Sequence, residues 1–347
     1  MPDMPHGAPS ASRRTRRLVP GVIKSALALM SQRRRDPDRQ PETAGHRRLA
    51  DYVVDDVSRR LNMPCGLVDH HATRTGSLIV RLRADRPYVA KVPLRPSTER
   101  RLRQNARALT SLRQLSWMTP RLSASCPDLV LLGTSSGSFY SVETALPGQD
   151  GATIAGARAR SHDLIRSAQR FITDWQQASL VRPTGGPAPW EKPFQFAVDR
   201  VARLAAAVGE SGRYCQLAAH VEHQLAAQEL PSVYAHGNFW LGNVLFGADD
   251  RVTGVIDWDC TTERALPTVD LIYLLVRTYS LTRHISFGEA IADWIDAESV
   301  PLLDDCLAHH CRELSVATEL IDSLSYCAWI QHLETHCRFG TSASSDA

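Results

Sequence analysis

The sequence predicts an α+β chain, with a small β-rich first part and a larger, mainly helical second part. Three observations carry this. Short β-prone runs bounded by turn residues recur at 66–71, 77–82, 88–92, 129–132 and 139–142. From 159 onward apolar residues recur at helical spacing instead, through 159–178, 194–208, 212–228 and 267–279, with two or three further helices over 285–337. Between these helices lies a segment of different texture, residues 233–259, VYAHGNFWLGNVLFGADDRVTGVIDWD. It reads as strand, polar loop, strand, turn, strand and acidic end.

A chain of 347 residues, 43% apolar and 22% charged, is ordinary for a globular protein and long enough for two lobes. No run approaches the roughly 18 apolar residues of a membrane span. Eight cysteines without a CxxC pair or tight secreted-type spacing read as the reduced thiols of a cytoplasmic protein. Charge is uneven: residues 1–50 hold eleven Lys and Arg against four Asp and Glu, so the remainder is net acidic. Residues 1–47 therefore read as a flexible basic segment rich in Pro, Ser, Gly and Arg. A second reading of its one apolar run, LVPGVIKSALALM, is a basic amphipathic helix that touches an anionic membrane surface. The segment lacks aromatics for stacking, so no nucleic acid is expected as partner. Lys24 and the following arginines exclude an export signal.

In chain order, Leu49, Val53, Val54, Val57 and Leu61 place an amphipathic helix over 46–61. Three strands follow, and the loop 72–77, ATRTGS, joins the first two with Gly76 free to bring its backbone close to a ligand. Lys91 stands between Ala90 and Val92 in the third strand. The chain has three lysines against thirty-seven arginines, so a lysine kept at this position points to a need for a compact charge. A helix is expected over 99–115, then a hairpin, and Pro147-Gly148 suits a boundary between lobes. The Pro- and Gly-rich loop 181–193 suits a surface excursion near a substrate site. In the central segment the strands bury their apolar residues and leave His236, Asn238, Asn243, Asp257 and Asp259 at their ends. Asn243 and Asp257 are hard oxygen donors, suited to Mg²⁺ held together with substrate phosphates.

HGNFWLGNVL followed by GVIDWD resembles the catalytic segment of the aminoglycoside phosphotransferase and choline kinase family, relatives of protein kinases. That family's pattern is H-G-D-x-x-x-x-N, then a hydrophobic strand ending in I-D-W. The resemblance implies a bilobal protein-kinase-like fold. An N-lobe over 48–145 would hold the nucleotide, a C-lobe over 146–340 would hold the catalytic segment and acceptor site, and 341–347 would form a tail. It implies ATP and Mg²⁺ as cofactors and the hydroxyl of a small molecule as acceptor. Lys91 would touch phosphates, Gly76 and Ser77 would cover them, and backbone groups near Glu143 to Ala145 would bind adenine. Asn243 and Asp257 would hold the metal, His236 and residue 238 would form the catalytic loop, and Asp270 would be a structural acid. Asp259 would approach the site if the strand ends at 257.

Two positions depart from the pattern. Asn238 stands where the family has its catalytic Asp, and an amide cannot accept a proton near neutral pH. Asn105 stands where relatives carry the helix Glu that pairs with the strand lysine, so Lys91 is expected to lose an anchor. Two functions stay open: a phosphotransferase that tolerates Asn238, and a nucleotide-binding pseudokinase acting as regulator or scaffold. Other chemistries fare worse. GxSxG is absent, HLETH (332–336) is not HExxH, and His309, His310 and Cys311 near Cys306 lack zinc-site spacing.

Overall fold

The computed structural model describes residues 44–73, 75–157, 161–185, 188–207, 209–296 and 301–339. The readings placed on residues 1–43 and 340–347 lie outside the described residues. The N-terminal part holds strands β1 (Gly66–Ala72), β2 (Ser77–Arg83), β3 (Pro87–Pro93), β4 (Leu129–Ser135) and β5 (Ser138–Thr144). They form one antiparallel sheet in the order β1-β2-β3-β5-β4. Alternation along β2 and β3 sends Leu78, Val80, Leu82, Tyr88, Ala90 and Val92 to one face. There they pack against Ala50, Val53, Val54 and Val57 of helix α1 (Ala44–Leu61). The same pleat turns Ile79, Lys91 and Ser141, cross-strand neighbours, to the opposite face.

Helix α2 (Pro96–Leu112) crosses beside the sheet. It starts three residues earlier than its apolar spacing suggests, because Pro96 supplies a backbone angle already suited to a first helical turn. Its last turns, Ala108, Leu109 and Leu112, belong to the core of the helical lobe. Helix α3 (Pro120–Ala124) is short and capped by the Thr119 hydroxyl, which accepts from the Leu122 amide.

The second lobe contains β6 (Gln149–Asp150), α4 (Gly151–Ala157), α5 (Ser161–Ala178), α6 (Glu191–Ala207) and α7 (Ser211–Ala226). Then come β7 (Val233–Ala235), β8 (Val244–Phe246), β9 (Val252–Val255), β10 (Thr262–Ala265) and α8 (Val269–Arg283). Helices α9 (Phe287–Asp296), α10 (Pro301–Leu314) and α11 (Ile321–Phe339) complete it. β6, β8 and β9 form one small sheet, and β7 pairs with β10 in another. β6, α4 and β10 carry too few residues for a periodicity to show. The core packs aromatics from distant segments: Trp175 of α5 lies 4.7 Å from Trp258, which lies 4.6 Å from His236. Segment 233–259 is thus seated on the buried face of α5. Among the described residues, no helix is long and apolar enough to cross a membrane.

Candidate active site

The loop after β7 is built from the backbone outward. Gly237 has φ +78°, and a Cβ there would meet the Cys260 carbonyl oxygen at 2.1 Å, so no side chain fits. Asp270, in the first turn of α8, accepts from the amides of His236 (2.7 Å) and Gly237 (2.9 Å). Burial raises the Asp270 carboxyl above its usual range, against the opposing pull of His236 and the two amides. This is the structural role expected of Asp270.

His236 is fully buried, with both ring nitrogens engaged by backbone. Nε2 lies 3.0 Å from the Ile256 carbonyl, and Nδ1 is 3.2 Å from the Asn238 amide. Burial lowers its pKa, which favours the neutral ring. Only an Nε2–H tautomer then satisfies both contacts, since a carbonyl needs a donor and an amide needs an acceptor. His236 therefore positions the loop, and the direct catalytic part expected of it is corrected. Asn243 donates from Nδ2 to the Asn238 carbonyl at 2.9 Å, and its own carbonyl accepts from the Ile256 amide at 3.0 Å. With Val244 opposite Val255, this sets Asn243 beside the chain that continues to Asp257.

β9 ends at Val255, and Asp257 adopts the left-handed region at φ +62°, a conformation costing on the order of 1–3 kcal/mol for a residue with a Cβ. From there its Oδ1 lies 2.7 Å from Lys91 Nζ, while 43% of the side chain stays open to the cleft. Burial works against its charge, but Lys91, then Arg101 and His236, outweigh that and hold its pKa below the usual value. Lys91 also lies 3.1 Å from Glu143 Oε2. Burial works against the lysine's charge too, yet the two carboxylates raise its pKa, so it stays an ammonium.

The expected loss of an anchor for Lys91 is corrected here. The helix Glu is absent, but Glu143 of β5 replaces it from within the sheet, almost fully buried on the same face as Lys91. Burial raises the Glu143 pKa, and Lys91 and Asn105 pull it back. Asn105 is a bridge: its Nδ2 donates to Glu143 Oε1 at 2.7 Å, and its Oδ1 accepts from the Trp258 amide at 2.8 Å. One turn earlier, Arg101 pairs through Nε with Asp259, which is buried and has its pKa raised by that burial against the pull of Arg101. Asp259 does approach the site, as a wall of it.

These groups line one small cavity of about 50 Å³, with Thr73, Thr75 and Ser77 of the β1–β2 turn above Lys91, Arg101, Asn105, Asp257 and Asp259. Gly76 takes φ +86° in that turn, and its carbonyl accepts from the Leu94 amide at 2.7 Å. The turn is tied down by Thr98, whose hydroxyl donates to the Thr75 carbonyl at 2.9 Å. Ser77 faces the cavity, whereas Gly76 shapes the turn without lining it.

The stretch Glu143 to Ala145, where backbone contacts to adenine are expected, has part of its polar groups committed within the protein. The Glu143 side chain is spent on Lys91 and Asn105. The amides of Thr144 and Ala145 donate to Asp128 and Pro87 at 3.0 Å each, extending the sheet. Sequence reasoning missed Arg101, Thr98 and the ion-pair part of Glu143. An acid inside the apolar strand SVET was the available signal for Glu143.

A β-rich lobe carrying a buried ion-paired lysine, set over a helical lobe that carries Asn243 before β8 and Asp257 after β9, defines a protein-kinase-like molecule. The chain belongs to the phosphotransferase enzyme family, whose model matches residues 77–303. Its fold is similar to that of an ethanolamine kinase from Plasmodium vivax (TM-score 0.50, 11% identity, covering 85% of this chain and 81% of that one). An aminoglycoside-3'-phosphotransferase of type VIII aligns with TM-score 0.49 and 18% identity over 81% of this chain and 98% of that one. A Streptomyces rimosus aminoglycoside phosphotransferase solved with ADP and streptomycin aligns with TM-score 0.49 and 16% identity over the same shares. No curated protein matches the sequence.

Proposed function

We propose that the chain transfers the γ-phosphoryl group of ATP, with Mg²⁺, to a hydroxyl group of a small molecule. The observation that carries this is the convergence of Lys91, Asp257 and Asn105 on one cavity under the β1–β2 turn, with Asn243 just before β8, its backbone carbonyl accepting from the Ile256 amide. The donor set fits the metal. Asp257 is held ionised and partly open, and Asn243 directs its amide nitrogen to Asn238, turning its oxygen away from that contact. No group of three His, Cys, Asp or Glu suited to a metal occurs among the described residues, so the ion would share its shell with phosphates and water. Bound there, it would neutralise charge on the transferring group.

The protein's own residues then have separate tasks. Lys91 binds phosphate oxygens in exchange for part of its contact with Asp257, while Glu143 keeps it in place. The hydroxyl oxygen bonds to the γ-phosphorus as the bond to the bridging oxygen breaks, and the hydroxyl proton leaves to solvent or phosphate. Asn238 orients the hydroxyl through its side-chain carbonyl without taking the proton. A positioned base is typically worth about 10²–10⁴ in rate, so turnover is expected to be slow. The pseudokinase reading draws on the same amide and on the caging of Lys91 by two carboxylates.

Turnover of Mg-ATP with the native protein, Asn238→Asp and Asp257→Ala separates the two. Native transfer that Asp257→Ala abolishes supports the phosphotransferase. A silent native protein beside an active Asn238→Asp variant supports the pseudokinase.

A further inference from the structure

A second cavity, of about 360 Å³, opens in the helical lobe between α6, β10, α8 and α11, a size within the range of small-molecule sites. It adjoins the loop that carries Asn238. Gln331, on its wall, donates from Nε2 to the Gly237 carbonyl at 3.2 Å, and Thr262 of β10 pairs with Ala235. A molecule seated here lies against that loop.

Three features of the wall restrict what it takes. The body is apolar and aromatic, with Trp190, Phe194, Leu266, Val269 and Ile330. The charge is basic: Lys192 and Arg338 line it, and the sole acid among the lining residues, Glu334, is bonded by Arg338 (3.1 Å) and Arg200 (3.4 Å). A polycation therefore meets no uncompensated carboxylate on this wall. Finally, Trp190 is 1% exposed, and its indole Nε1–H has no hydrogen-bond partner. Buried indole N–H groups are normally paired, so this one calls for an acceptor atom from outside the chain.

We infer that this cavity binds the alcohol substrate, and that this alcohol is an apolar-bodied, neutral or anionic molecule whose oxygen accepts from Trp190 Nε1. Polycationic amino sugars are excluded. The word substrate rests on the phosphotransfer reading; the binding class stands on the cavity alone.

Calorimetric titration of the full chain tests it, with ω-hydroxydecanoate, decanediol, ω-aminodecanol and the polycation kanamycin as probes. Hydroxydecanoate and decanediol should saturate one site. Aminodecanol should bind about tenfold more weakly than hydroxydecanoate, and kanamycin not at all. Trp190→Phe should weaken hydroxydecanoate about fivefold to tenfold by removing one hydrogen bond. Ala197→Trp, which fills the cavity, should abolish binding. A thermal shift with Mg-ATP, unchanged in both variants, would show that they fold. Saturable kanamycin binding removed by Glu334→Gln would overturn the inference, as would no probe binding, whatever the nucleotide does. Probe binding without any Mg-ATP shift would leave this site standing while sinking the phosphotransferase reading.

Discussion

Acidifying the solution from pH 7 to pH 5 should cost the native protein about 2 kcal/mol more stability than a His310→Gln variant. His310 of α10 is fully buried; its Nδ1 lies 2.7 Å from the Thr173 hydroxyl and its Nε2 lies 3.1 Å from Gln176 Oε1. Burial drives its pKa down from 6.5 to about 3. Below pH 6.5 the unfolded chain therefore binds a proton that the folded one refuses, and stability falls with falling pH until about 3. Each unit within that window is worth about 1.4 kcal/mol, and the first half unit below neutrality contributes little, which yields the figure of about 2. Urea unfolding followed by circular dichroism at the two pH values measures it. The variant will be weaker at both, so the quantity that matters is the difference in slope. His236 titrates in the same direction in both proteins and cancels. Equal losses in the two proteins would refute the reasoning. The candidate site has a stake in the outcome: Gln176 also accepts from the Thr268 amide at 3.1 Å, and Thr268 precedes the turn that places Asp270 against the amides of His236 and Gly237.

Three more perturbations follow from the same geometry. Gly237→Ala forces a Cβ onto a backbone oxygen and should cost roughly 3 kcal/mol or more, lowering the melting temperature by roughly 6–12 °C; native-like melting would contradict the clash. Arg101→Met strands the buried Asp259 carboxylate and should cost about 3–5 kcal/mol near neutral pH. That deficit should shrink in acid, where Asp259 takes up a proton, and Asp259→Asn added to it should recover most of the loss in urea titrations. Glu143→Gln keeps an oxygen for Asn105 but removes the charge beside Lys91. Mg-ATP affinity should fall about tenfold in a binding titration, with little change in stability because burial already burdens the ionised carboxyl.

What was legible in the sequence was what local pattern controls. Strands β2 and β3 announce themselves by alternation, and Lys91 by its scarcity within an apolar run. Asn243 immediately precedes β8 and Asp257 lies two residues past β9, and the pairing of these two strands sets the Asn243 backbone against Ile256, so the sequence order of the two runs is enough to bring their ends together. The ion-pair network did not translate in this way. Glu143 lies 52 residues after Lys91, and only the pairing of β3 with β5 brings them together. Arg101 and Asp259 are 158 positions apart, and no periodicity relates them. Asn105 misled because a one-dimensional pattern counts a missing acid as a loss, whereas in three dimensions another strand supplies it. His236 misled for the opposite reason: a polar residue in a loop motif looks available until the Trp258 ring is laid over it.

The bridges of Lys91 to Asp257, Arg101 to Asp259 and Asn105 to the Trp258 backbone all cross from the small lobe to one short stretch of the large one. Such a seam behaves like a clasp fastened beside the keyhole. Swinging the lobes apart there would expose an ammonium, a guanidinium and two carboxylates at once. Traffic of ligands is therefore expected past the β1–β2 turn, whose described residues Thr73 and Thr75–Ser77 are held by neutral hydrogen bonds. The rate of nucleotide exchange would then follow the suppleness of that turn and not the stiffness of the joint between lobes.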